Sequence, residues 1–220
     1  MDIFIYNSIS LIDLGRRVFG QSALSPFFSY VCTEQTTGRK NGRKMAELII
    51  KKAEERDYEQ VRDFYHSMTD QMKERGYIIT WVKDVHPSPE FLEESIKEGT
   101  LYMGCLGDSI ASAMVLNHRG SREYRDIEWT EDLNDSQFFV IHALGVHPDF
   151  TGKGVGRSMV EEAVRIAAES GARAVRLDVL DTNEPAKKLY CRCGFEYRGT
   201  ARLYYENTGW RNFDMYELIL

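Results

Sequence analysis

The stretch Val146-His147-Pro148-Asp149-Phe150-Thr151-Gly152-Lys153-Gly154-Val155-Gly156-Arg157 joins an apolar run, Phe138–Val146, to a helical pattern over residues 154–170. The run is rich in β-branched and aromatic residues and reads as a buried strand. Pro148 turns the chain, and the glycines at 152, 154 and 156 let the backbone approach a ligand closely before the helix begins. The first-turn N–H groups of a helix lack internal partners, and the macrodipole favours negative charge there. Lys153 and Arg157 add positive charge, so the expected ligand group is a phosphate or pyrophosphate. The spacing G-x-G-x-G is one residue short of the dinucleotide-binding G-x-G-x-x-G, and no acidic residue ends a second strand about 20 residues on. The nucleotide loop G-x-x-x-x-G-K-[ST] is also absent. Taken alone, the same glycines are compatible with a tight strand-to-helix connection that holds nothing.

Outward from this loop, Met159, Ala163, Ile166 and Ala167 form the apolar face of the helix, and Gly171 closes it. A strand over 173–180 follows, with Val175, Leu177 and Val179 on one face and Arg176 and Asp178 on the other. It leads into Asp181-Thr182-Asn183-Glu184-Pro185-Ala186-Lys187-Lys188-Leu189-Tyr190-Cys191-Arg192-Cys193-Gly194-Phe195. Together the two segments resemble the GNAT N-acetyltransferase superfamily. In that family a glycine-rich motif holds the coenzyme A pyrophosphate, and N-x-x-A-x-x-L-Y-x-x-x-G-F follows one helix and one strand later. Here the second motif stands as Asn183, Ala186, Leu189, Tyr190, Gly194 and Phe195. Thr151 occupies a position where the family usually has Arg or Gln, while the glycines are intact.

The resemblance implies an α/β fold with a mixed, mostly antiparallel twisted sheet flanked by helices and a splay between two central parallel strands. It implies acetyl-CoA as co-substrate, no metal, and transfer of an acetyl group to a primary amine by direct attack on the thioester. Leu144, Gly145 and Val146 would pair with the pantetheine arm. Gly152, Lys153, Gly154, Val155, Gly156 and Arg157 would cradle the pyrophosphate, and Asn183 would contact the cofactor arm or a water. Tyr190 would stand near the thioester sulfur, where a phenol of pKa about 10 can protonate a leaving thiolate. A backbone N–H at the splay would stabilise the oxyanion. An attacking amine must also lose a proton. Asp178 lies five residues before Asn183, where ribosomal-protein N-terminal acetyltransferases of the superfamily carry a glutamate base. His142 in the Phe138–Val146 strand is its rival, and many members use no dedicated base. An enzyme moving another acyl group and a catalytically silent acyl-CoA sensor are the alternatives.

The flanking sequence supplies the rest of the domain. A strand is expected over 48–53, a helix over 54–75 with Val61, Phe64, Tyr65 and Met68 on one face, and a Ser88-capped helix to Lys97 with Pro89 at its first position. Strands over 101–106 and 109–116 are joined by Gly107-Asp108, a hairpin signal. Helix 184–192 and strands 195–206 and 212–219 complete the pattern. The segment 117–136 is polar and acidic, with Trp129 among its carboxylates, and reads as either a solvated loop or a surface for a cationic amine. In the superfamily the turn between the last two strands often borders the acceptor site, which makes Tyr205, Glu206 and Trp210 further candidates.

The 220 residues carry a formal charge of −6, which argues against non-specific nucleic-acid binding. No apolar run is long enough to span a membrane. Hydrophobic residues at 43% and charged residues at 28% are ordinary globular proportions. The four cysteines, Cys32, Cys105, Cys191 and Cys193, lack zinc spacing and read as reduced thiols, so a cytoplasmic location is expected. The partner expected is a small-molecule or peptide amine, and the resemblance also allows a homodimer. Residues 1–44 differ from the rest and include the basic, turn-rich 33–44; they read as an appendage or linker ahead of a domain over 45–220.

Overall fold

In the computed structural model, residues 47–76, 80–205 and 209–220 are described. The expected appendage over residues 1–44 and the candidate Glu206 both lie outside the described residues.

Seven strands form one sheet. They are β1 (Leu48–Lys52), β2 (Leu101–Leu106), β3 (Ser109–Asn117), β4 (Phe138–Val146), β5 (Ala174–Leu180), β6 (Glu196–Tyr205) and β7 (Gly209–Ile219), in the order β1-β2-β3-β4-β5-β7-β6. Only β4 and β5 run parallel; every other neighbouring pair is antiparallel. The helices are α1 (Tyr58–Glu74), α2 (Pro89–Lys97), α3 (Val155–Glu169) and α4 (Glu184–Arg192). The expected element order holds, with boundaries moved by a few residues. The first helical stretch divides into a short 3₁₀ turn, Glu55–Asp57, and α1. Ser88 caps α2 as its position suggested, accepting from the Phe91 amide at 3.2 Å with Pro89 in the first turn.

The sheet has an apolar core on each face. α1 and α2 bury Val61, Phe64, Tyr65, Met68, Leu92 and Ile96 against one face. α3 and α4 bury Met159, Val160, Ala163, Leu189 and Tyr190 against the other. Strand alternation sends Val175, Leu177 and Val179 to the α3–α4 core, leaving Arg176 and Asp178 for the α1–α2 side. Segment 117–136 is a largely exposed connection that is nonetheless anchored to the sheet. It makes a 3₁₀ turn, Arg122–Asp126, that buries Tyr124 on the α1–α2 side of the sheet. The reason is a buried ion pair that the local sequence does not reveal. Arg176 Nε donates to Glu217 Oε1 at 2.9 Å, and the Trp129 and Phe138 rings lie 4.3 and 4.2 Å from the guanidinium carbon. Arg176 and Glu217 are 2% and 1% exposed, so the segment above must seal them from water.

Two details shape the sheet centre. β4 and β5 pair only at Phe138–Ala174, Phe139–Val175 and Val140–Arg176, and beyond these the strands part. Where they part, β4 carries a bulge: Val115 faces His142 and Ala113 faces Gly145, leaving Ala143 and Leu144 together opposite one residue of β3. Ala143 takes a left-handed φ of +48°, and the Tyr65 hydroxyl donates to its carbonyl at 2.8 Å.

Candidate active site

The loop that opens α3 is made of backbone. Gly152 and Gly154 have φ of +73° and +81°, and a Cβ at either would meet no atom within 4 Å. Gly154 is the N-cap of α3 and no side chain caps the helix, so its first amides face outward. The loop's side chains are engaged elsewhere. Lys153 Nζ donates to the Asp149 carbonyl at 2.9 Å, and Arg157 pairs with Glu161 at 2.7 Å. Thr151, in place of the longer residue usual in the family it resembles, donates its hydroxyl to the Pro148 carbonyl at 2.9 Å and closes the turn. Open glycines followed by free helix amides and two cations fit a pyrophosphate. Val155 is buried under the loop, and Gly156 lies in the first turn of α3.

The parted halves of β4 and β5 hold the remaining candidates. Leu144 and Val146 are buried. At Gly145 a Cβ would lie 2.7 Å from Met68 Sδ, so the absence of a side chain lets Met68 of α1 pack directly on this strand. Asn183 caps α4 through its Oδ1, which accepts from the Ala186 amide at 3.3 Å. Tyr190 is fully buried in the α3–α4 core. Among the described residues, Asn183 Nδ2, the Tyr190 hydroxyl, Asp178 Oδ2 and His142 Nδ1 are buried polar atoms without a hydrogen-bond partner. All four residues lie on the diverging strand ends or on the helix that follows β5. Buried polar groups are rarely left unsatisfied, and this cluster fits a polar ligand threading between the strands.

On the α1–α2 side lies a cavity of about 500 Å³ whose lining includes Asp178, His142, Asn117, Tyr205, Phe91 and Glu90. It brings Asp178, its rival His142 and the candidate Tyr205 to one place. The Tyr124 hydroxyl donates to Asp178 Oδ1 at 3.0 Å. Burial pushes the Asp178 carboxyl up to about 7, with the Tyr124 bond partly opposing and the Glu123 charge reinforcing the rise. His142 goes the other way: burial drives it down to about 3, so it is neutral at physiological pH. Its tautomer follows from its neighbour. Asn117 Oδ1 already accepts from the Arg119 amide at 2.8 Å, so His142 Nε2, 2.9 Å from the same oxygen, must donate, which leaves Nδ1 as an acceptor. Burial, with the Asp178 charge next in importance, also raises the Tyr190 phenol well above its ordinary range.

Trp129 is not in this cavity. It lines a second recess beside Tyr124 and Arg176, and its indole N–H donates to the Tyr124 carbonyl at 2.7 Å. Trp210 is exposed at the start of β7, packed edge-on against Tyr204. Sequence reasoning missed Tyr124, Asn117, Tyr65 and the bulge at Ala143. Tyr65 showed only as one more apolar position of a helix, although a buried phenol needs a partner for its hydroxyl. Among the described residues no group of His, Cys, Asp or Glu side chains is arranged to hold a metal ion, and no helix is long and apolar enough to cross a membrane.

Residues 62–195 match the family model described as Acetyltransferase (GNAT) family. An uncharacterized N-acetyltransferase of Methanocaldococcus jannaschii is 35% identical over 77 residues, which are 35% of this chain and 34% of that protein. The chain thus spans about a third of the length of that relative. Among solved structures, a GNAT-family acetyltransferase of Streptococcus agalactiae aligns over 80% of this chain and 98% of its own, at 16% identity and a TM-score of 0.65. A Bacillus subtilis acetyltransferase in complex with CoA aligns over 79% and 99%, at 18% identity and a TM-score of 0.51.

Proposed function

Because this chain belongs to the acetyltransferase (GNAT) family, we propose that it transfers an acetyl group from acetyl-CoA to a primary amine seated in the cavity beside Asp178. The observation that carries this reading is the parting of β4 from β5 after three paired positions, with four unpartnered buried polar atoms on and just beyond the separated ends. In this reading the amides of 152–157 take the pyrophosphate, helped by Lys153 and Arg157. The arm passes between Leu144–Val146 on one side and Asn183 on the other. Bound acetyl-CoA supplies a carbonyl already activated as a thioester, so the chain's residues have only protons and charge to manage.

Asp178 acts as the general base. A carboxylate with a pKa near 7 is substantially ionised at neutral pH, yet basic enough to take a proton from the amine as the new C–N bond forms. His142 stays neutral and accepts a hydrogen bond from the amine without taking its proton. The bulge leaves Leu144 unmatched against β3, and its amide is the candidate donor to the charge that develops on the carbonyl oxygen. Tyr190, kept protonated by burial, gives its proton to the departing thiolate. Tyr205 forms part of the cavity wall against the acceptor.

The experiment is free-thiol release from acetyl-CoA across a panel of small amines, amino acids and short peptides. Amine-dependent release from the wild type is the expected result and names the acceptor class. Silence across the panel together with no calorimetric binding of coenzyme A would remove the reading. Binding without turnover would favour a sensor of acyl-CoA.

A further inference from the structure

The segment between β3 and β4 is held down more firmly than a connection requires. Trp129 donates to the Tyr124 carbonyl and stacks on Arg176. Arg176 Nη2 donates to the Glu131 carbonyl at 3.0 Å, and the Thr130 amide donates to Glu217 Oε2 at 2.9 Å. Anchors at Trp129, Thr130 and Glu131 therefore hold the segment against the sheet beside Tyr124, which is 4% exposed. Its hydroxyl ends 3.0 Å from Asp178 Oδ1, while Asp178 Oδ2 has no partner among the described residues and Asp178 lines the cavity. A phenylalanine would fill the same space. The hydroxyl does what a phenyl ring cannot: it pins one oxygen of a buried carboxylate and leaves the other without a partner.

We propose that Tyr124 is a positioning residue of the reaction, donating to Oδ1 so that the Asp178 carboxylate is held with Oδ2 turned toward the acceptor. This rests on Asp178 being the base. The step it serves is simple: the N–H bond of the amine breaks, an O–H bond forms at Oδ2, and Tyr124 keeps its own proton. The groups facing Asp178 are Tyr124 and Glu123 from the 3₁₀ turn, His142 from β4, Tyr205 from β6 and, from α4, the Tyr190 phenol. Arg119, Glu90, Glu94 and His86 stand further round the cavity. Of these, only Tyr124 hydrogen-bonds the carboxylate, and a bond donated to the ionised form lowers the pKa of a carboxyl.

The test follows the Asp178 carboxyl directly, by carbon-13 NMR of the full chain labelled at aspartate, with its resonance assigned by its loss in Asp178→Asn. The wild-type midpoint is expected near 7. Tyr124→Phe should move it upward by roughly one pH unit and lower acetyl-transfer turnover about tenfold, with coenzyme A affinity unchanged. If Tyr124→Phe does not fold, difluorotyrosine at the same position, a stronger donor, should move the midpoint downward. An unmoved midpoint in whichever variant folds overturns the proposal, and so does a moved midpoint with undiminished turnover. The activity of Asp178→Asn separates the two ideas. Full turnover in that variant sinks the base itself, whereas loss there with an unmoved Tyr124 midpoint sinks only the positioning role.

Discussion

On the α3 side of the parted strands, the candidate ligand site is one contiguous loop, 152–157, that offers amides and open space while its side chains are tied to Asp149 and Glu161. On the α1 side, the cavity is walled by side chains from β3, β4, β5, β6 and α2, and its Asp178 and His142 are each positioned by a hydrogen bond with a distant part of the chain. A backbone site depends on where glycine falls and tolerates variation in the side chains around it. A side-chain site depends on tertiary packing, and its pKa values are set by burial and not by identity. Substitutions should therefore act locally and completely in the loop, and by degrees in the cavity.

The largest effect expected is at Gly154. Gly154→Glu puts a side chain and a negative charge where the phosphates would lie, and coenzyme A affinity should fall at least about 100-fold by calorimetry. Gly107 makes the matching control, since its φ is +61° and a Cβ there also meets nothing within 4 Å, but it sits in the β2–β3 turn. Gly107→Glu carries the same backbone strain and should leave affinity untouched. Equal losses in both variants would mean strain alone is being read, and the loop would cease to be a cradle.

Next in size is Asp178→Asn, expected to lower kcat/KM by about 100-fold or more. Stability should move the other way. Asp178 has a folded-state pKa of about 7, above its ordinary value of 3.8, so it favours folding while protonated and loses that contribution as pH rises through 7. Asparagine does not ionise, so the variant should melt higher than wild type at pH 8, by about 2–4 °C for each kcal/mol regained, and should lose this advantage near pH 4. A carboxylate kept at the expense of stability is the mark of a residue retained for chemistry. If the variant is both inactive and less stable at pH 8, Asp178 is a structural group instead.

The contrast also explains what the sequence could disclose. The loop and the Asn183–Phe195 stretch are local patterns, so their elements were legible directly, and the parting strands only through the family resemblance those patterns carry. Asp178 was legible as a carboxylate on the far face of its strand, because alternation alone puts it there. Its hydrogen-bond donor was not, since Tyr124 reaches it across 54 positions of chain from a segment that reads as solvated. That segment is anchored because Arg176 and Glu217, 41 positions apart, pair beneath it, and no window of sequence contains both. The bulge at Ala143 was hidden for a similar reason: the hydroxyl that holds its carbonyl comes from Tyr65, 78 positions away.

Tyr190→Phe probes the one group that belongs to both sides, a phenol on α4 that feels the Asp178 charge through the strand gap. Removing its proton should lower kcat about tenfold while leaving coenzyme A affinity within about twofold, because the interaction matters only as the thiolate leaves. Unchanged kcat would reduce Tyr190 to packing beside Phe195, whose ring centroid is 5.8 Å away.

The smallest effect on the reaction is expected at Trp129, and it separates two roles for the same aromatic ring. A residue that binds the acceptor raises its KM when removed. A residue that acts through Tyr124 lowers kcat and leaves KM alone. Trp129 donates to the Tyr124 carbonyl and covers Arg176, and it is not part of the cavity that holds Asp178. Trp129→Leu should therefore lower kcat about threefold, hold acceptor KM within about twofold, and lower stability by ~1–2 kcal/mol through the lost cation–π contact and hydrogen bond. A selective rise in KM for cationic acceptors would instead return Trp129 to the acceptor site, and would extend that site from the cavity into the acidic recess beside it.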